Sequence, residues 1–487
     1  MAMRNERRIL VNTATLGAGE IAGQLANFIL VVSFARSFGS GSLGHYSVSM
    51  AVGAIAALFV SMGTHGFLIR EISRDPASAR DFLGTLLPAQ LVLAAVAWLS
   101  ACGVSVLLIG DTHAAAVVMA TCGYQILCGL AALLLTPFQA TERMLVSVIG
   151  LGGHRLLTMA IGLAAIGLGA GAGTVTLALV IGALALIAFA WLQGSRRFGR
   201  PALRFAPGEA LKLFRVASPF FGLAAIGVLY ARGGMIILGA LATPHAVGLY
   251  AVADRFMVAG GLAPNMFNTA VYPALSRVAH TSLADAKALA VRCLRLMLVG
   301  TLPLATMLSI FSIDIVRLVF GPQYQDSSHV LQVLAWTLPI RGAQWLLASQ
   351  LAALDRQAAL ARARLVGLCT FLALTPLLIL GLGFVGVAWA VLSCDGLQLA
   401  LYWTLLRKTE SAPPCTFALL APALASAVTL VAGVALSDLT PSLRLLGVSM
   451  VMAVGLWVSG AIRLHDLGFL RNVMAGEGVS QPETKPG

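Results

Sequence analysis

Stretches of about twenty apolar residues, enough to cross roughly 30 Å of hydrocarbon at 1.5 Å per residue, recur along this chain almost from end to end. The runs are sustained and do not alternate polar with apolar, so they specify helices and not the strands of a membrane barrel. That pattern predicts one fold class, an all-α polytopic membrane protein. Composition agrees: 59% of the 487 residues are hydrophobic, 10% are charged and the mean hydropathy is +0.90, outside the soluble globular range. Glycine, at 50 residues, is as abundant as close helix packing in lipid requires.

Turn signals divide the chain into about fourteen transmembrane helices, centred near Ala22, Ala56, Ala95, Gln125, Arg155, Ala183, Gly227, Gly261, Leu302, Trp336, Phe371, Leu392, Leu424 and Met452. A cytoplasmic N-terminus puts most of the 32 basic residues in inside connections, among them Arg4, Arg7 and Arg8, the group Arg196, Arg197, Arg200, Arg204, Lys212 and Arg215, and Arg463, Arg471 and Lys485. Arg36, Arg317 and Arg444 alone fall near outer ends. The positive-inside rule then places both termini in the cytoplasm. The net charge of +13 follows from this topology, and no aromatic-interleaved basic domain invites nucleic acid. Glu20, Gln24 and Asn27 make the first apolar run an uncleaved span and not a signal peptide. The seven cysteines form no CxxC pair and read as small packing residues, with neither metal nor disulfide implied.

Two halves of the chain repeat one another. Gly44-His45-Tyr46-Ser47-Val48 matches Gly248-Leu249-Tyr250-Ala251-Val252, and the following spans end at Ser73-Arg74 and Ser276-Arg277. Farther on, Gln139-Ala140-Thr141-Glu142-Arg143 matches Leu351-Ala352-Ala353-Leu354-Asp355-Arg356. Common order and spacing predict two six-helix lobes of the same orientation around a central cavity. The expected organisation is an N-terminal lobe over 1–194, a cytoplasmic linker at 195–214, a C-terminal lobe over 215–410, two additional helices over 411–465 and a cytoplasmic tail at 466–487. Prolines 88, 137, 219, 264, 303, 339 and 376 suit helices that bend or break.

Within the spans lie four arginines, Arg155, Arg232, Arg255 and Arg341, and three acids, Glu20, Asp254 and Asp395. An intramembrane charge is costly unless it faces a protein-lined cavity, which makes each a functional-site candidate. Arginine cannot escape by losing its proton, and its planar fork suits phosphate and carboxylate oxygens. Two readings of Arg232 are open: it holds a ligand together with Arg255, or it pairs with Asp254 to join two helices. Arg341 either faces the cavity, snorkels, or binds carbonyls freed by Pro339. The acids are either counter-ions to the arginines or sites of proton or sodium exchange, the chemistry by which secondary transporters use an ion gradient. His154 and His65 read as packing residues.

On the Gly44 to Tyr46 turn, the Arg70-Glu71-Ile72-Ser73-Arg74 and Gln139 to Arg143 span ends, and Gly248 to Tyr250, the chain resembles the polysaccharide repeat-unit flippases. These O-antigen and exopolysaccharide exporters belong to the multidrug/oligosaccharidyl-lipid/polysaccharide exporter superfamily, with multidrug and toxin extrusion transporters and lipid II flippases. The likeness covers about residues 9 to 465. It implies alternating-access transport of a polyprenyl-pyrophosphate-linked oligosaccharide across the bacterial inner membrane, for lipopolysaccharide or exopolysaccharide synthesis. Polymerase and glycosyltransferase partners belong to the same expectation. The anionic head of such a lipid would be met by paired, charge-assisted bonds from the deep arginines.

Competing readings are a lipid II flippase, which the charge pattern fits equally, and an organic-cation pump, which calls for acids and aromatics where this chain has four arginines against three acids. A membrane polysaccharide polymerase is disfavoured by the short outward connections. The chain has no GxxxxGK[ST] signature and no metal-ligand cluster, so no cofactor is expected and the reading is not enzymatic.

Overall fold

A computed structural model describes residues 2–109, 114–279, 282–408, 412 and 417–458, with side chains from Gly19 onward except at 273, 279, 283, 417, 418 and 441. The expected tail at 466–487, Cys415, Arg463, Arg471 and Lys485, and the side chains of Arg4, Arg7 and Arg8, lie outside the described residues. Among those described, every regular element is helical: α1 (Ala2–Ser61), α2 (Thr64–Arg74), α3 (Ala79–Ile109), α4 (Ala115–Ala140), α5 (Met144–Gly167), α6 (Ala172–Phe198), α7 (Pro207–Leu241), α8 (Pro244–Gly260), α9 (Leu262–Ala279), α10 (Leu283–Ile310), α11 (Ser312–Phe320), α12 (Ser327–Leu334), α13 (Thr337–Ala353), α14 (Gln357–Leu382), α15 (Val385–Arg407), α16 (Phe417–Ala435) and α17 (Pro441–Val458).

Among the described residues, ten helical stretches are long and apolar enough to cross a membrane, and Leu419–Ala435 and Ser442–Val458 are shorter apolar helices. The first stretch, Gly19–Ser61, has 43 residues, about twice what one crossing needs. Gly39 breaks it at φ 77°, a backbone that glycine adopts without the Cβ penalty, so α1 supplies the first two expected spans. Proline decides where two others turn. The eighth and tenth expected spans are interrupted at their own centres, Gly261 between α8 and α9 and Trp336 between α12 and α13. Three residues beyond each break stands Pro264 or Pro339, whose ring would collide with the carbonyl four residues back in a continuous helix. Pro88, Pro137, Pro219, Pro303 and Pro376 instead lie inside uninterrupted helices.

The described residues form two compact units, the first made of Val11–Val252 with Leu372–Val387 and the second containing Ala253–Phe371 and the described residues from Ala388 onward. In the first, α4 packs on α2, α3, α5 and α6, and Phe67, Leu86, Leu135, Phe138 and Leu186 fill the space between helices. In the second, α10 has that place, against α9, α13 and α16, with Leu275, Cys293, Leu294 and Leu346 at the contact. Lipid tails are as apolar as these side chains, so close packing and its dispersion energy hold the helices together. Arg444 at the end of the α16–α17 hairpin donates to the Gly433 carbonyl at 3.0 and 3.2 Å and lies over the Phe311 ring.

Two of the three repeated motifs have a physical cause. In the first unit, a Cβ on Gly44 would strike the Pro244 carbonyl, and a Cβ on Gly248 would strike the Ser40 carbonyl. Two helix starts therefore cross at backbone contact, four residues separating glycine from contact point on each, and Ser40 Oγ shares a hydrogen bond with His245 Nδ1 beside the crossing. The acidic-Arg motif is a helix terminus. Glu142 (φ 57°) and Asp355 (φ 55°) are left-handed, and in each case the next arginine amide donates five residues back, Arg143 to Phe138 at 2.8 Å and Arg356 to Leu351 at 2.9 Å. With Glu142 to Gln139 and Asp355 to Ala352, both at 3.2 Å, these are two Schellman caps that satisfy the terminal carbonyls of α4 and α13.

Candidate functional site

Helices α1 and α5 approach through glycines: the Gly19 carbonyl lies 3.5 Å from where a Gly152 Cβ would be. A Cβ on Gly23 would come within 2.9 Å of Arg155 Cδ, so the absent side chain is what lets the arginine stem run along α1. At the end of that stem, Arg155 Nη1 donates to Glu20 Oε1 at 3.0 Å. Gln24, one turn after Glu20, donates to the same oxygen at 2.9 Å. Glu20 Oε2 and the rest of the Arg155 donor fork have no hydrogen bond among the described residues. The two side chains are 43% and 23% exposed, so the pair keeps an open side on which an anion could meet guanidinium or a cation could meet carboxylate. Neighbouring His154 is buried, its ring nitrogens 3.3 Å from the Gly150 carbonyl and 3.5 Å from Tyr124 Oη.

A second pair lies in the second unit. Arg341 Nε on α13 donates to Asp395 Oδ2 on α15 at 2.7 Å, and Gln344 Nε2 donates to the Asp395 backbone carbonyl. Asp395 is 1% exposed. Helix turn spacing explains the second donor, because Gln344 follows Arg341 by three residues and shares its face.

Of the seven residues expected at the site, the structure thus brings together Glu20 with Arg155 and Asp395 with Arg341. Arg232 is half-buried on α7 in the first unit and has no hydrogen bond or ion pair among the described residues. Asp254 and Arg255 are half-buried on α8 in the second unit. The counter-ion reading of Glu20 left open which arginine it meets, and the structure gives Arg155. The signal was there in α1, where Gly19 and Gly23 clear one track and Glu20 and Gln24 line its edge. His65 Nδ1 is bonded to Thr136 Oγ1 at 2.9 Å.

The sequence model of one protein family, described as polysaccharide biosynthesis protein, matches residues 9–279, more than half of the chain. No curated protein matches by sequence. Among solved structures, the lipid II flippase MurJ in its inward closed conformation is similar with TM-score 0.72 and 15% identity, over 93% of this chain and 99% of that one. An inward-facing multidrug resistance MATE family transporter of the MOP superfamily gives 0.61 and 15%, over 80% and 94% of the two chains. The MATE multidrug transporter DinF-BH gives 0.60 and 16%, over 83% and 96%. At these identities the likeness shows a shared all-α polytopic fold.

Proposed function

This chain belongs to the polysaccharide biosynthesis protein family, and from that membership we propose that it is a flippase carrying polyprenyl-pyrophosphate-linked oligosaccharide units across the bacterial inner membrane by alternating access. The observation that carries the reading beyond the family is a guanidinium inside apolar helices, Arg155, most of whose donors have no partner among the described residues, joined by Arg232, which has none among them either. A pyrophosphate offers several charged oxygens, and a planar donor fork meets them in pairs. Arg155, Arg232 and Arg255 are assigned to the anionic head of the substrate. Arg341 is assigned to its ion pair. Glu20, bonded on one oxygen, is the proposed site of proton or sodium coupling, and both termini are cytoplasmic by the positive-inside rule. Glycosyltransferases would supply the substrate and a polymerase would receive it.

Surface glycan and membrane abundance, measured together, test the assignment. Arg232→Ala and Arg255→Ala should abolish export at near-normal abundance, and Lys at either position should rescue only in part, because it supplies a point charge without the fork. Undiminished export in both Ala variants overturns the anion-site reading. Rescue of cells depleted of their own lipid II flippase would move the substrate to lipid II.

A further inference from the structure

The connection between α6 and α7 is held to the first unit at three points. Phe198, the last residue of α6, meets the Phe138 ring edge-on at 5.2 Å. Beyond Gly199 the chain lies against α3: a Cβ on Gly84 would come within 2.4 Å of the Ala202 carbonyl, and the Arg204 amide donates to the Gly84 carbonyl at 3.0 Å. Ala210, Phe214 and Ala217, one face of the first turns of α7, are buried in the core between helices. A segment fixed on both flanks and in its middle nonetheless leaves Leu203 55% and Phe205 71% exposed. Around them Arg196, Arg197, Arg200, Arg204, Lys212 and Arg215 are exposed too, and these six side chains have no hydrogen bond or ion pair among the described residues. The start of α3, the end of α6 and the start of α7 carry two acids in return, Asp81 beside Arg80 and Glu209.

Depth decides what these groups meet. α6 and α7 are each long and apolar enough to cross a membrane. From Val216 to the end of α7 at Leu241 is about 39 Å, one crossing of roughly 30 Å of hydrocarbon with a margin for headgroups. Lys212 and Arg215 therefore stand where hydrocarbon gives way to headgroups, and Arg196 and Arg197, in the last turn of α6, hold the other flank. Cations interleaved with exposed leucine and phenylalanine fit a surface that is anionic above and apolar just below. A soluble acidic partner would satisfy the cations alone. We infer that this connection docks on the headgroup layer of the bilayer its own helices cross, taking anionic phospholipid on its cations with Leu203 and Phe205 in the layer beneath. Docking of this kind requires no particular cargo.

Hydrogen–deuterium exchange of the full-length protein in nanodiscs tests it, comparing phosphatidylcholine alone with phosphatidylcholine mixed with phosphatidylglycerol. Peptide 199–206 should exchange about fivefold more slowly with phosphatidylglycerol present, the gain of one cation at an anionic surface. The exposed turn 437–440, which carries Asp438 and no cation, should not change. Raising salt from about 0.1 to about 1 M cuts the screening length from about 10 to about 3 Å and should erase the difference without any variant. Arg197→Gln, Arg200→Gln and Arg204→Gln combined should erase it as well. Leu203→Ser with Phe205→Ser should quicken exchange in both lipids; no quickening overturns the place given to the two apolar side chains. Equal exchange in the two lipids, or slowing at 437–440 as well, overturns the docking. So does a segment slowed only when a soluble acidic protein is added, since the cations then have a protein partner. None of these readouts involves glycan export, so a chain that docks but exports no glycan loses the transport reading alone.

Discussion

Glu20 and Asp395 each accept a guanidinium nitrogen, at 3.0 and 2.7 Å, yet the first carboxylate is 43% exposed and the second 1%. Glu20 receives both of its donors on one oxygen and stands on a helix relieved of side chains at Gly19 and Gly23. Asp395 is enclosed between α13 and α15, with Arg341 on its carboxylate and Gln344 on its backbone carbonyl. Removing a partner from an enclosed charge leaves that charge in low dielectric, whereas an open charge can take another ligand. The same residue types therefore serve two ends. Enclosure makes an ion pair a fastener, and an open side makes it a place where ions can exchange.

The largest effect should come from opening the enclosed pair. Arg341→Ala should cost about 3 kcal/mol by removing a guanidinium from the buried Asp395 carboxylate, seen as a lower unfolding temperature and reduced membrane abundance. Combining Arg341→Met with Asp395→Leu should restore both, because no charge is then left alone. Wild-type abundance for Arg341→Ala would erase the contrast between the pairs. A smaller stability effect, under about 1 kcal/mol, is expected for Arg155→Ala, whose partner stays partly exposed; its consequence should be lost export at near-normal abundance. A collapse in abundance there would make the open pair a fastener too. Smallest of all, Gly23→Ala puts a methyl 2.9 Å from Arg155 Cδ, at a flexible stem that can move aside. It should leave abundance unchanged and export between those of wild type and Arg155→Ala; full export would show that the glycine track does not position the guanidinium.

Much of the fold could be read from the sequence because each cause is local. An apolar run of sufficient length, a glycine at φ 77° and a proline three residues past a break act within one helix or turn. The repeated motifs were legible as repeats, but their meaning was not. That Glu142 and Asp355 end helices in left-handed caps follows from bonds five residues long and was within reach of sequence reasoning. That Gly44 answers Pro244, or Glu20 answers Arg155, depends on which helices are neighbours and at what depth, and neither is written in the periodicity of one helix. Arg341 shows the same gap: its own helix suggested snorkelling or freed carbonyls, and the partner came from α15.

The crossing of the two helix starts bears on how this chain can change over generations. A mutation that enlarges a buried side chain can usually be offset by another that shrinks its neighbour. Gly44 and Gly248 have no such neighbour, because each lies against a peptide carbonyl, at Pro244 and at Ser40. No codon encodes a smaller carbonyl. Drift at either glycine can be relieved only by moving a whole helix, so these two positions should remain fixed while the side chains around them are exchanged.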